Sequence, residues 1–311
     1  MSVRRKIAVG ARLVLVLGVI AAIVVVQLTA LNAHKHPRKH KHLVLRPVAP
    51  RTLNGIPQPL GIAGDWKYVL NDEFNARTLD TSIWQAGWYG TGVTGAPNVL
   101  EDDCYSSGDV GFPGDGSMHL AVTAQPSTCH GRTYPYTGAL VSTNPRDGRT
   151  HGGFQYTYGV LEARIYVPGL HGQVADWPAF WSDGYHWPND GEDDVMEGIG
   201  GNMCFHFHSL HFAPHGPGGC TSEFRPGWHT FASDWEPGKV SYYYDGHLVG
   251  TVTKGVTGKP MFIVIDDTVW RRHKSLTRPA ALRVGYIRVW QPVAGSVASG
   301  VHYEVWHGVQ G

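Results

Sequence analysis

The chain has 311 residues, 42% of them hydrophobic, with 40 Gly, 20 Pro and 11 Trp, a composition of many turns and short strands. Its formal net charge of +1 conceals an asymmetry. Ten of the 26 Lys/Arg and none of the 25 Asp/Glu lie in residues 1–51, which leaves a body of 16 basic and 25 acidic residues. That excess of acid argues against nucleic acid as a partner.

Taken in order, the chain opens on Arg4, Arg5, Lys6 and Arg12, followed by an apolar run from Leu13 to Leu31 broken only by Gln27 and Thr29. A span of ~17–25 apolar residues crosses a bilayer. Leu stands two positions before both Ala30 and Ala33, so an A-x-A-like cleavage site is missing there. Residues 1–33 are therefore expected to be a signal-anchor or signal peptide. The basic run that follows opposes the anchored orientation under the positive-inside rule. Either way the rest is exported, to an extracellular or membrane-anchored location, with the N-terminal segment in contact with the membrane.

Residues 34–61 read as a linker, His/Lys-rich over His34–His42 and then punctuated by Pro47, Pro50, Pro57 and Pro59. A His-rich tract can bind metal; a solvated spacer is the plainer reading. The folded domain is expected over 62–292. Short β-rich runs recur at Met118–Ala124, Gly138–Thr143, Gly159–Val167, Val195–Ile199, His229–Trp235, Lys239–Tyr244, Met261–Ile265 and Ala281–Trp290. Asp245-Gly246 between Val240–Tyr244 and His247–Thr251 is a two-residue hairpin signal. Many close-spaced strands with almost no helix predict an all-β, two-sheet antiparallel sandwich. Residues 293–311 form a tail that ends as an edge strand or a loose end. Export makes disulfides of the four cysteines, and the sequence-local pairing is Cys104–Cys129 with Cys204–Cys220.

The chemistry centres on Gly191-Glu192-Asp193-Asp194-Val195-Met196-Glu197. On a strand, Glu192 and Asp194 share a face by the period of two. Glu197 joins them only if a β-bulge at Val195-Met196 absorbs one residue. Like charges crowded on one face are costly, which favours chemistry over structure as the reason for them. Two carboxylates flanking a glycosidic bond are the minimal equipment for glycoside hydrolysis, ~5–5.5 Å apart when the anomeric configuration is retained. The alternative, a calcium loop, favours Asp/Asn/Gly alternation and fits Val195-Met196 poorly. Trp177 and Trp181 share a strand face just upstream, and indoles stack on the apolar faces of sugars. Glu162 and Arg164 also share a face, as cleft residues or as a buried pair. His206 and His208 form a second cluster, for which zinc ligation is an alternative to packing and to contact with substrate.

Asp72-Glu73-Phe74, Leu79-Asp80, Trp84, Gly159–Arg164, Trp177–Trp181, Gly191–Glu197, Trp235-Glu236-Pro237 and Arg288-Val289-Trp290 together resemble glycoside hydrolase family 16 over Ile62–Pro292. The bulged E-x-D-x-x-E is of the laminarinase-like kind. The resemblance implies a concanavalin-like β-jelly roll with an open cleft on its concave sheet. It also implies a retaining endo-hydrolase of β-1,3- or β-1,3-1,4-glucan, working as a monomer on a polysaccharide substrate. Glu192 would be the nucleophile, Asp194 the assisting acid and Glu197 the acid/base, with His208, Trp177, Trp181, Glu162 and Arg164 toward the substrate. Asp193 departs from the family's usual hydrophobe and is expected to face away from the cleft; Asp266 replaces a common Asn. No cofactor is required on this reading. Gly285 stands where the family places a calcium-binding Asp, so structural calcium is left open. Two other functions use the same features, a catalytically silent lectin-like envelope protein and a transglycosylase.

Overall fold

A computed structural model of the chain describes residues 46–146, 152–212, 216–221, 225–272, 280–293 and 301–308. The expected signal segment, 1–33, and the His-rich tract fall outside these residues. Among the described residues, no helix is long and apolar enough to cross a membrane.

The principal strands run in chain order as β1 (Trp66–Asp72), β2 (Asp103–Ser106), β3 (Met118–Ala121), β4 (Tyr136–Ser142) and β5 (Phe154–Thr157). Then come β6 (Gly159–Val167), β7 (Trp177–Gly184), β8 (Glu192–Glu197), β9 (Met203–His208) and β10 (Gly218–Thr221). The remainder are β11 (Gly227–Glu236), β12 (Lys239–Tyr244), β13 (His247–Val252), β14 (Met261–Thr268), β15 (Ala281–Pro292) and β16 (Glu304–His307). The helical elements among the described residues are two 3-10 turns, Ser107–Asp109 and Ile199–Gly201.

Two sheets carry the fold. The first has the order β10-β9-β8-β7-β14-β4-β2, and the second β13-β12-β11-β6-β15-β3, with β1 also on β15. Pairing is antiparallel apart from β4 on β2. Alternation along each strand sends one set of side chains between the sheets. Phe180, Met196, Phe207, Ile263 and Ile265 from the first sheet meet Leu161, Ile165, Phe231, Trp235 and Ile287 from the second. Each fully buried side chain of this size contributes ~1.5–3 kcal/mol. All eight residues of β7 are buried, because aromatic rings cover its cleft face as well as its core face.

The turn between β12 and β13 has positive φ at both central residues, 49° at Asp245 and 77° at Gly246. That is the two-residue geometry whose twist matches a hairpin. Both disulfides form as expected, Cys104–Cys129 and Cys204–Cys220.

One boundary differs from expectation. The folded unit reaches back to Pro47 rather than Ile62. Thr52–Leu53 pairs with Ile56–Pro57, and buried Gln58 exchanges hydrogen bonds with the Trp66 backbone in both directions. Leu60 N–H donates to Glu162 Oε2 at 2.7 Å. Of the prolines that read as a spacer, Pro57 ends a strand of this hairpin, and its carbonyl accepts from Trp290 Nε1–H of the second sheet. At the other terminus β16 adds an edge strand on β5.

Candidate active site

Strand β8 owes its chemistry to a bulge. Phe180 faces Met196 while Trp181 faces Asp194, so Val195 is the extra residue on that side. Toward β9 the register passes from Asp194–His206 to Glu197–Cys204, again with two residues opposite one. Val195 and Met196 both turn into the apolar core. Glu192, Asp194 and Glu197 therefore share the outer face of the first sheet, as the motif requires.

Glu197 is held from two sides. Trp177 Nε1–H donates to its Oε1 at 3.1 Å, and His206 Nδ1 lies 3.3 Å from Oε2, off the line of a hydrogen bond. On the other side of the bulge, His208 Nε2 is 3.1 Å from Asp194 Oδ2 and 3.8 Å from Glu192 Oε1. Gly216 N–H donates to His208 Nδ1. The neutral imidazole must then carry its proton on Nε2, aimed at Asp194.

Burial, then the charge of Asp194, raises Glu192 well above the usual carboxylate range. Burial, then Glu197, does the same to Asp194. The charge of Asp194 beside Glu192 disfavours ionising both carboxyls at once. Behind them, Asp183 is also raised well above its ordinary value, by burial and then by Glu192.

Asp194, His206 and His208 place three possible metal-ligand atoms within 4.8 Å of one another. Ligating histidines normally donate their second ring N–H to an oxygen. His208 does the reverse, accepting from Gly216 at Nδ1. The geometry is that of a hydrogen bond to a carboxyl rather than a zinc ligand.

The remaining expected residues divide. Trp177 and Trp181 lie on the cleft face, but Trp181 is a floor rather than an open platform. Trp88 stacks on it at 5.8 Å, and Trp181 Nε1–H donates to Asp266 Oδ1 at 2.8 Å. Asp266, raised to about 8 by burial, also accepts from Tyr105 OH at 3.3 Å. Trp88 sits on the loop after Gly87, whose path the sequence pattern does not disclose; Asp266 was visible only as a departure. Glu162 and Arg164 are corrected outright. Both lie on β6 in the second sheet and face outward, on the side of the molecule opposite the acids. Their shared strand face was read correctly, but period-2 alternation cannot say which sheet the strand joins. Asp193 faces away from the cleft as expected, into the core, where Ser233 Oγ and Tyr242 OH both donate to it at 2.7 Å.

The family model of the XgeA-like catalytic GH16 domain matches residues 156–225, the segment that holds β7, β8 and β9. A beta-glucanase of Rhodothermus marinus is 27% identical over 202 residues, 60% of this chain and 65% of that protein. Glucan endo-1,3-beta-glucosidase A1 of Niallia circulans is 24% identical over 281 residues, 76% of this chain and 39% of that protein. The chain thus spans less than two thirds of the length of either relative. Among solved structures, the catalytic domain of an endo-1,3-beta-glucanase (laminarinase) from Thermotoga petrophila superposes with a TM-score of 0.62 at 24% identity, covering 74% of this chain and 99% of that domain. An endo-beta-1,3-glucanase from Pyrococcus furiosus gives 0.59 at 23%, covering 79% and 99%. These likenesses show the jelly roll; the family match lies on the strands that carry the acids. The strands that carry the acids are thus similar to part of a glycoside hydrolase family 16 catalytic domain, and the fold is similar to that of the laminarinase structures.

Proposed function

We propose that the protein is an exported endo-β-glucanase that cleaves internal β-1,3 or mixed β-1,3-1,4 linkages with retention of configuration. The observation that carries this is the bulge in β8, which brings Glu192, Asp194 and Glu197 to one face with separate partners for each end of the triad. Glu192 attacks the anomeric carbon. Asp194, kept protonated by burial and oriented by His208, donates to Glu192 and leaves it the charge that attack requires. Glu197, oriented by Trp177, protonates the departing glycosidic oxygen and then takes a proton from the water that hydrolyses the glycosyl-enzyme. Both disulfides support an oxidising location.

The test is a panel of laminarin, lichenan, agarose and carrageenan, read by reducing-sugar release and by the anomer first formed in proton NMR. Release from laminarin or lichenan with the β-anomer first is the expected result. An α-anomer first excludes double displacement. Glu192→Gln is expected to lose hydrolysis while glucan binding survives; turnover near wild type in that variant removes Glu192 as nucleophile.

A further inference from the structure

The outer face of the second sheet, opposite the cleft, is divided in two. One end is covered: Ile62, Trp66, Val160, Ala232 and Trp290 form an apolar cluster beneath the N-terminal hairpin. Among the described residues the other end is uncovered and carries arginines laid on aromatic rings. Arg283, Tyr166 and Trp228 stand in register across β15, β6 and β11, with Arg164 two residues along β6 from Tyr166. The Arg283 guanidinium carbon lies 3.8 Å from the Tyr166 ring centre and 5.4 Å from that of Trp228; Arg164 lies 4.7 Å from Trp228.

A neighbouring arginine shows what these two lack. Arg288 stacks on Tyr286 at 3.7 Å and is also paired with Glu73 at 2.7 Å. Among the described residues, Arg164 and Arg283 have rings for partners and no carboxylate. Stacking occupies the faces of a guanidinium and leaves its N–H edge free, and that edge matches a carboxylate with two parallel hydrogen bonds. Two such cations, fixed in place by rings, have already lost the rotamer freedom that binding would otherwise cost.

Gly285 contributes to this arrangement. The strand register shifts beside it, and a Cβ at this position would lie 3.4 Å from the Trp228 ring, so the indole packs over the glycine. The family resemblance places a calcium-binding Asp here. This chain offers no side-chain oxygen at that point and sets two guanidinium groups nearby, so the residues do not fit a divalent cation. The face is arranged for an anion.

We propose that this face is a second carbohydrate-binding surface, which takes a uronate-bearing polysaccharide through Arg164 and Arg283. Trp228 and Tyr166 supply its aromatic floor. The body's excess of acid, 16 basic against 25 acidic residues, opposes dense polyanions such as nucleic acid. A glycan with one carboxylate per sugar, presented to two fixed forks on an open sheet, suits the geometry. Binding here would hold the enzyme on an acidic polymer while the cleft works on a neutral one, and it stands independently of the cleft's linkage preference.

The experiment uses the full chain, with affinity electrophoresis through gels containing polygalacturonate at 150 mM NaCl, roughly physiological ionic strength. R164Q/R283Q is compared with K254Q/K259Q, which removes the same charge from exposed positions elsewhere. The expected result is retention weakened roughly tenfold or more in the arginine variant, the scale of losing charge-assisted hydrogen bonds. The lysine variant should change less than about twofold, as for exposed screened charges, and turnover of soluble laminarin should be unchanged in both. Equal weakening in the two variants overturns the proposal, because net charge or the basic N-terminal tract would then carry the binding. No weakening in either overturns it as well. If R164Q/R283Q does not fold, R164K/R283K keeps the charge without the planar fork; retention equal to wild type in that variant counts against the site just as firmly.

Discussion

Glu162→Gln separates a structural carboxyl on the second sheet from a cleft role, and its effect can be worked from the structure. Glu162 is buried on the outer face of β6, with Leu60 N–H 2.7 Å from Oε2 and Tyr286 Oη 2.9 Å from Oε1. Burial raises its pKa from 4.5 to about 7, against lowering by those two hydrogen bonds and by Arg288. The native state therefore holds a proton that the unfolded state releases between pH 4.5 and about 7. Stability falls with pH wherever the native state binds more protons. Glu162 thus costs nothing below its unfolded pKa, and its penalty grows until pH passes the folded value. At ~1.36 kcal/mol per unit, a rise of this size is worth about 3 kcal/mol. Glutamine mimics the protonated acid: its carbonyl accepts from Leu60 while its amide donates to Tyr286. Urea unfolding at pH 4.5 and pH 8 should show the variant gaining about 3 kcal/mol on wild type over that interval, with kcat on laminarin unaltered. Parallel pH dependences in the two proteins refute the linkage. A loss of kcat without a loss of stability refutes the placement.

Three further outcomes follow from the site and its support. Trp177→Phe removes the N–H on Glu197 Oε1 but keeps a ring against Trp270, and should lower kcat roughly tenfold with little change in KM, as expected for ~1.5 kcal/mol in a hydrogen bond to a carboxyl that gains charge as it gives up its proton. Asp193→Asn should retain activity and keep the stability that wild type loses as pH rises from 3.8 through about 6, the value to which burial raises Asp193; Asp193→Leu should cost ~1–3 kcal/mol by stranding the Ser233 hydroxyl, since Tyr242 keeps the His206 carbonyl. Both are read by chemical denaturation across pH. Replacing Cys204 and Cys220 by Ser opens a loop of 16 residues and should cost about 3 kcal/mol, lowering the thermal midpoint by roughly 6–12 °C in calorimetry.

The sequence disclosed the parts of this molecule that local rules govern. The hairpin at Asp245-Gly246 follows from two adjacent residues that tolerate positive φ. The bulge follows from three acids that must share a face and two hydrophobes between them that must not. Facts set by tertiary placement were out of reach. Glu162 and Arg164 have the alternation of a cleft strand, and only the order of strands in the two sheets assigns them to the far side. Pro57 and Pro59 flank Gln58, whose side chain replaces a backbone partner for Trp66; composition shows the prolines and not the exchange. Trp181 looked like a sugar platform until Trp88 arrived over it from a loop of Gly, Thr and Tyr.

Asp193 shows why the catalytic strand stays in place despite its repelling acids. Tyr242 Oη lies 2.7 Å from Asp193 Oδ1 and 2.8 Å from the His206 carbonyl oxygen. The single hydroxyl proton is shared between these two acceptors. Tyr242 thus bridges Asp193 and the His206 carbonyl, while Ser233 Oγ donates to the other Asp193 oxygen. The chain of bonds ties β8 to β9 from the core side, at the residue whose imidazole sits beside Glu197 on the cleft side. A hydrophobe at position 193 could fill the same space but could not tie Ser233 and Tyr242 of the second sheet to β8. The inward acid therefore fixes the spacing of the two strands that carry Glu192, Asp194, Glu197, His206 and His208, where like charges on the outer face push against it.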